Sequence, residues 1–140
     1  MRILALLLLP LLALTSGCSV SEGANRRDDP KPIPARERER ENPIPAFEES
    51  IAFGKLIFSS QCTMCHGKNG DGKGDLVERL GLQVPDFRTE ERRPKRSDGE
   101  LFYIITHGHK RMPGDEKKQL SEETRWHLVN YVRSLSQHRE

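Results

Sequence analysis

The pentapeptide Cys62-Thr63-Met64-Cys65-His66 restricts the possible folds of this chain more than any other feature. Two thiols at this spacing can add to the two vinyl groups along one edge of a haem. The histidine that follows, His66, is then held beneath the iron as its proximal ligand. The motif predicts one covalently bound haem c, so the rest of the chain has to fold around a flat, largely apolar group.

Other functions of paired cysteines fit the sequence less well. A structural zinc site needs a second pair of ligands, and the sequence contains no second Cys-x-x-Cys. A thioredoxin-type pair needs a strand and a helix in a βαβ unit, which the patterns do not indicate. The composition, 34% hydrophobic and 31% charged, also favours a haem, because a buried porphyrin would enlarge a small hydrocarbon core. A net charge of +2 gives no support for binding nucleic acid.

Residues 1–17 are predicted to form a lipoprotein signal peptide. Arg2 precedes an apolar run from Ile3 to Leu14, which is shorter than the about 20 residues that span a bilayer. The run leads into Gly17-Cys18 and resembles the bacterial lipobox, whose cysteine is acylated when the signal is removed. The alternative is an ordinary signal or an uncleaved anchor with an incidental cysteine. We expect a lipid on Cys18 and a location in the bacterial cell envelope, facing the periplasm or the outer side of the cytoplasmic membrane.

Residues 18–45 are predicted to be a solvated tether. They contain five prolines, an alternating Arg–Glu run over residues 36–41 and almost no large apolar side chain. Such a composition favours an extended chain over a packed one. A short helix in the alternating run is the less favoured alternative.

Residues 46–140 are predicted to form an all-α domain. The first helix presents one apolar face, made by Phe47, Ile51, Gly54 and Phe58. A short helix is expected over residues 76–80, ended by Gly81. Residues 97–100 predict a capping box at the start of a further helix, and Ser121 predicts the N-cap of the last one. No alternating pattern typical of a strand is present.

The sixth ligand of the iron has three candidates, Met112, His107 and His109. Met64 is excluded because it lies inside the attachment motif. A thioether from Met112 would raise the reduction potential and favour electron transfer, whereas either histidine would give bis-histidine ligation and a lower potential. Spacing favours Met112 without excluding the histidines.

The region from Phe47 to Leu135 resembles class I cytochrome c, especially the single-haem domains associated with bacterial respiratory complexes. Four features carry the resemblance: Gly54 with Phe58, the motif of residues 62–67, Met112-Pro113, and Trp126 with Tyr131. The resemblance implies a small cytochrome c fold whose first and last helices cross at Gly54, with the haem in a loop-rich pocket. It also implies that Met112 is the distal ligand and that the carbonyl of Pro85 accepts a hydrogen bond from the proximal histidine.

The function implied is the transfer of single electrons in a membrane-associated respiratory chain, by a complex subunit or a tethered shuttle. The expected partners are a quinol-oxidising complex and a terminal oxidase, and no enzymatic bond-making step is expected. The alternative is a haem-based gas or redox sensor in which Met112 is labile. Basic residues between Arg88 and Arg96, with Lys110 and Arg111, either form a rim that attracts an acidic partner or are an ordinary solvated face.

Overall fold

The computed structural model describes residues 32–89, 95–115 and 120–136. The predicted signal peptide, Cys18 and the tether as far as residue 31 lie outside this part of the chain. Its helices are α1 (Ala35–Arg38), α2 (Glu48–Gln61), α3 (Thr63–His66), α4 (Asp75–Leu80), α5 (Asp98–His107) and α6 (Glu122–Ser134). The predicted all-α architecture is confirmed. Across the described ranges, no helix has the length and apolar character required to cross a bilayer.

Two strands of two residues each, β1 (Gly108–His109) and β2 (Met112–Pro113), were not expected from the sequence. They pair antiparallel, with His109 opposite Met112 and Gly108 opposite Pro113. A bridge this short has no room for the alternation of apolar and polar residues by which a strand is recognised in a sequence.

Helices α2 and α6 pack directly against each other at Gly54. A methyl group on Gly54 would overlap the backbone carbonyl of His127 and would lie 2.8 Å from Cβ of Tyr131. One turn further on, Phe58 is 1% exposed and meets the ring of Tyr131 edge-on at 5.1 Å. Gly54 therefore allows close contact between the first long helix and the last, whereas a crossing of the two helices at this residue stays a prediction.

The predicted helix starts and stops are also present. The Ser97 hydroxyl accepts a hydrogen bond from the backbone N–H of Glu100 at 3.1 Å, and the Glu100 carboxylate accepts one from the N–H of Ser97 at 2.9 Å. At α6 the hydroxyl of Ser121 accepts a hydrogen bond from the N–H of Thr124 at 3.1 Å. Helix α4 ends at Gly81, whose φ of 58° is left-handed.

Residues 33–44, hereafter the N-terminal segment, pack against the domain, so for this stretch the predicted solvated tether is wrong. Ile33 is buried, and Ile44 packs against the buried cluster of Phe102, Trp126 and Val129. The guanidinium of Arg40 lies 4.3 Å from the centre of the Phe102 ring. The less favoured short helix in the Arg–Glu run exists as α1. The folded domain therefore begins well before residue 46, because a few side chains of the N-terminal segment contact residues that are remote in sequence.

Candidate functional site

The attachment motif lies at the junction of α2 and α3. Cys62 ends α2, with its N–H donating to the carbonyl of Phe58 at 2.9 Å, and its own carbonyl accepts the N–H of His66 at 2.9 Å. Cys65 follows within the single turn of α3, so the two thiols lie about one helical turn apart. Both cysteines are half-buried and line the same cleft. No disulfide joins the two.

A glycine-rich loop folds back over this motif. The N–H groups of Gly72 and Gly74 donate to the carbonyls of His66 and Cys65, at 2.9 and 3.2 Å. Gly72 has a φ of 73°, and a side chain there would press on the backbone of residues 84 and 85. The carbonyl of Gly70 accepts the N–H of Phe87 at 2.8 Å, which brings that ring to the proximal histidine.

The imidazole of His66 is held between aromatic rings. It stacks on Phe87 at 4.9 Å with an interplanar angle of 20°, and Phe58 lies 6.1 Å away on a tilt. Burial lowers the pKa of His66 to about 4, so the ring is neutral at physiological pH. A neutral imidazole has a nitrogen lone pair available for a metal.

The buried Nδ1 of His66 has no hydrogen-bond partner within the described residues. The expected bond to the Pro85 carbonyl is therefore not made. That carbonyl instead lies against Gly72, about 3.0 Å from where a Cβ would stand. Phe87, which the sequence reasoning did not single out, restrains the ring in its place, and only its position two residues after Pro85 could have suggested it.

The cleft has the attachment motif on one side and the β1–β2 hairpin on the other. Its cavity volume is about 100 Å³, and it is partly open to solvent. Its lining residues are Gln61, Cys62, Cys65, His66, Ile105, Met112, Pro113, Gly114, Asp115, Leu120 and Leu128. The structure thus places Met112 in the same cleft as the two thiols and the imidazole.

The two alternative distal ligands are placed differently. His107 is exposed at the end of α5, with its ring 4.4 Å from that of Tyr103. His109 is half-buried, and its pKa is lowered by burial and by the positive charges of Arg96 and Lys110. Neither histidine is among the residues that line the cleft. This arrangement favours Met112, whose bond to iron stays a prediction.

The predicted basic rim is only partly a set of exposed charges. Lys95, Lys110 and Arg111 are exposed, and the last two form the tip of the hairpin that carries Met112. Arg88 is exposed as well but pairs with Asp86 at 2.9 Å, and the half-buried Arg96 pairs with Glu100 at 3.1 Å (Arg92 and Arg93 lie outside the described residues). A role for this rim in docking stays a prediction.

Comparison with known proteins decides the family. The family described as "Cytochrome C oxidase, cbb3-type, subunit III" matches residues 49–132, from the start of α2 through most of α6. The chain belongs to this family. Its folded part is a class I, single-haem c-type cytochrome domain, and it carries haem c covalently, as the attachment motif predicts.

A solved structure agrees with this assignment. The chain is similar to a protein of the "Kuenenia stuttgartiensis reducing HAO-like protein complex Kustc0457/Kustc0458", at 31% identity and a TM-score of 0.58. That match covers 66% of this chain and 46% of the other, so this cytochrome spans less than half of that relative. A second match, "KustC0563 c-type cytochrome", has 32% identity, a TM-score of 0.48 and coverage of 59% and 95%. No curated protein sequence matches.

The residues of the cleft fit a haem. The cytochrome's two thiols share a wall of the cleft, a buried neutral imidazole follows them, and a thioether lies in the same cleft. Cys62 and Cys65 would hold the porphyrin, and His66 and Met112 would be placed to ligate the iron. When bound, the haem supplies a couple that exchanges one electron. The protein's own residues orient the imidazole through Phe87 and Phe58, and burial keeps it unprotonated. Electron transfer is thus the general activity of the domain.

Proposed function

We propose that this cytochrome carries single electrons between a quinol-oxidising complex and a terminal oxidase, held at the membrane by a lipid on Cys18. The observation that carries the electron-transfer role is the placement of Met112 and His66 in one cleft. If His66 and Met112 both ligate the iron, no position is left for a small ligand, which favours transfer of electrons over binding of small ligands. The proposal covers both a subunit of a complex and a tethered shuttle.

The respiratory context is supported by the family, whose description is that of an oxidase subunit. The similar Kuenenia protein belongs to a complex, which supports redox proteins as the partners of this chain. The exposed Lys110 and Arg111 beside Met112 would present a positive surface next to the distal side of the haem.

The test concerns the sixth ligand. We expect the oxidised wild type to show the weak sulfur-to-iron charge-transfer band at the red end of the visible spectrum, and Met112→Ala to abolish it. Carbon monoxide should bind the reduced wild type poorly and the variant readily, because in the wild type it has to displace a tethered ligand of high local concentration.

His107→Ala and His109→Ala are matched controls and should leave the band unchanged. Tight binding of carbon monoxide by the wild type would contradict the carrier and favour the gas sensor with a labile Met112. A low-spin spectrum without the sulfur band would instead assign the sixth position to one of the histidines.

A further inference from the structure

The segment that carries Met112 is weakly held by its own backbone. The β1–β2 hairpin has two pairs of residues, and a hairpin this small has little stability of its own. At its tip Lys110 has a φ of 51°, an unfavourable left-handed conformation for a residue with a side chain. Some contact outside the hairpin must therefore determine where Met112 lies.

That contact follows directly after the hairpin. Gly114 lies so close to the end of α5 that a methyl group on it would overlap the carbonyl of Thr106 and lie 2.7 Å from the N–H nitrogen of Gly108. The next residue, Asp115, donates its N–H to the carbonyl of Ile105 at 3.0 Å. The chain leaving the hairpin is thus pressed against α5.

The side chain of Asp115 connects this point to α6. Both of its carboxylate oxygens accept from Nε of Arg125, at 2.9 and 3.1 Å. The two side chains are only 7% and 15% exposed, and Asp115 lines the haem cleft together with Met112. An ion pair removed from water is sensitive to the loss of either partner, because the remaining charge is left buried and uncompensated.

We propose that the Asp115–Arg125 ion pair is a positioning device that keeps Met112 on the iron and so sets how readily an external ligand can replace it. Lifting Met112 out of the cleft requires the hairpin to turn at its two ends, Gly108 and Gly114. The buried ion pair fixes Asp115, the residue directly after Gly114. Without the pair this end of the hairpin is less restrained, and a larger fraction of molecules has Met112 lifted out of the cleft. This inference rests on the proposed ligation by Met112.

A second ion pair, also made by an arginine of α6, serves as a matched control. Nε of Arg133 donates to Asp98 at 2.7 Å, which joins the start of α5 to the end of α6. Neither residue lines the cleft. If the two pairs matter only because they stabilise the fold around α6, removing either should have similar effects on the haem site.

The experiment uses the haem-loaded full chain and imidazole as the external ligand of the oxidised iron. We expect Asp115→Asn to raise the affinity for imidazole about tenfold and to weaken the sulfur band. Asp98→Asn should leave the affinity within about twofold of the wild type, even where it lowers the midpoint of thermal unfolding. Arg125→Lys keeps the charge but changes the geometry and should give a smaller rise.

The outcomes separate this inference from the proposed function. A wild type without a sulfur band would refute the ligation by Met112. A wild type with the band, together with unchanged imidazole affinity in Asp115→Asn, would refute the positioning role alone. Equal rises in Asp115→Asn and Asp98→Asn would also refute it. If Asp115→Asn does not yield loaded protein, unchanged affinity in Arg125→Lys would have the same meaning.

Discussion

At the scale of single residues, the site depends on a histidine kept neutral and oriented by its surroundings. Burial lowers the pKa of His66 to about 4, so no proton competes for the ring at physiological pH. Its Nδ1 has no hydrogen-bond partner among the described residues. Contacts with Phe87 and Phe58 restrain the ring instead. Among the described residues, aromatic packing rather than a hydrogen bond therefore orients this imidazole.

Gly54 lies where the two long helices meet, so even a methyl group at this position should be destabilising. Gly54→Ala adds a methyl group that overlaps the carbonyl of His127, so α2 and α6 must move apart. We expect a net loss of about 2 kcal/mol in the free energy of unfolding, although alanine gains about 1 kcal/mol of helix propensity. Denaturant titration of the haem-loaded protein measures this loss.

Gly81→Ala is the matched control for Gly54→Ala. Apart from its chain neighbours, no atom of the described residues lies within 4 Å of the added methyl, and the left-handed φ of 58° is the remaining penalty, about 1 kcal/mol. A Gly54→Ala protein as stable as Gly81→Ala would contradict the close packing of the two helices.

At the scale of elements, a buried polar network connects the N-terminal segment to α2 and α6. Nδ2 of Asn42 donates to Oδ1 of Asn130 at 2.8 Å, and Nδ2 of Asn130 donates to the carbonyl of Ile44 at 3.0 Å and to Ser50 Oγ at 2.8 Å. Ser50 Oγ in turn lies 2.8 Å from Nδ1 of His127. Because the network is largely buried, each missing partner leaves a polar group unsatisfied.

Asn42→Ala should therefore release the N-terminal segment. We expect a loss of about 1–2 kcal/mol in the free energy of unfolding and faster proteolytic cleavage within residues 33–44. Limited proteolysis followed by mass spectrometry locates the cuts. Glu41→Ala, at an exposed neighbouring position, is the control and should behave as the wild type. Rapid cleavage within residues 33–44 of the wild type would show that the segment is not packed.

At the scale of the whole molecule, the packed N-terminal segment shortens the reach of the proposed lipid anchor. The folded domain begins by Ile33. If Cys18 carries lipid, the residues between Cys18 and Ile33, at about 3.1 Å each, reach at most roughly 45 Å. A tether that continued to residue 45 would have reached considerably further. The haem domain would therefore be confined near the membrane, which suits partners that are themselves membrane complexes.

The anchor is tested by Cys18→Ser in the native host. We expect the wild type in the membrane fraction, with an acylated mature amino terminus at Cys18 by mass spectrometry, because two or more acyl chains give stable attachment. The variant should lose the acylation while the haem spectrum stays unchanged, since the cleft residues are remote in sequence. A soluble wild-type product that begins beyond Cys18 would contradict the lipid anchor.

The features determined by the sequence itself are those whose partners are close along the chain. The haem attachment motif depends only on the spacing of two cysteines and a histidine within residues 62–66. The hydroxyls of Ser97 and Ser121 accept hydrogen bonds from backbone N–H groups three positions further along the chain. The family resemblance added Met112 and the close approach at Gly54, because both recur at recognisable motifs. The structure contains both caps and the close approach at Gly54, and it places Met112 in the cleft, whereas the bond from Met112 to iron stays a prediction.

Only the tertiary structure decided how the remaining side chains are used. Arg40 lies over Phe102, Asn42 bonds Asn130, and Phe87 stacks on His66. Asp115, in the loop after β2, pairs with Arg125 on α6. In the sequence, each of these residues looks like an ordinary solvent-exposed charge or amide, or like an aromatic residue in a loop. Its partner is brought near only by the packing of α2, α5 and α6, and burial then makes the contact strong.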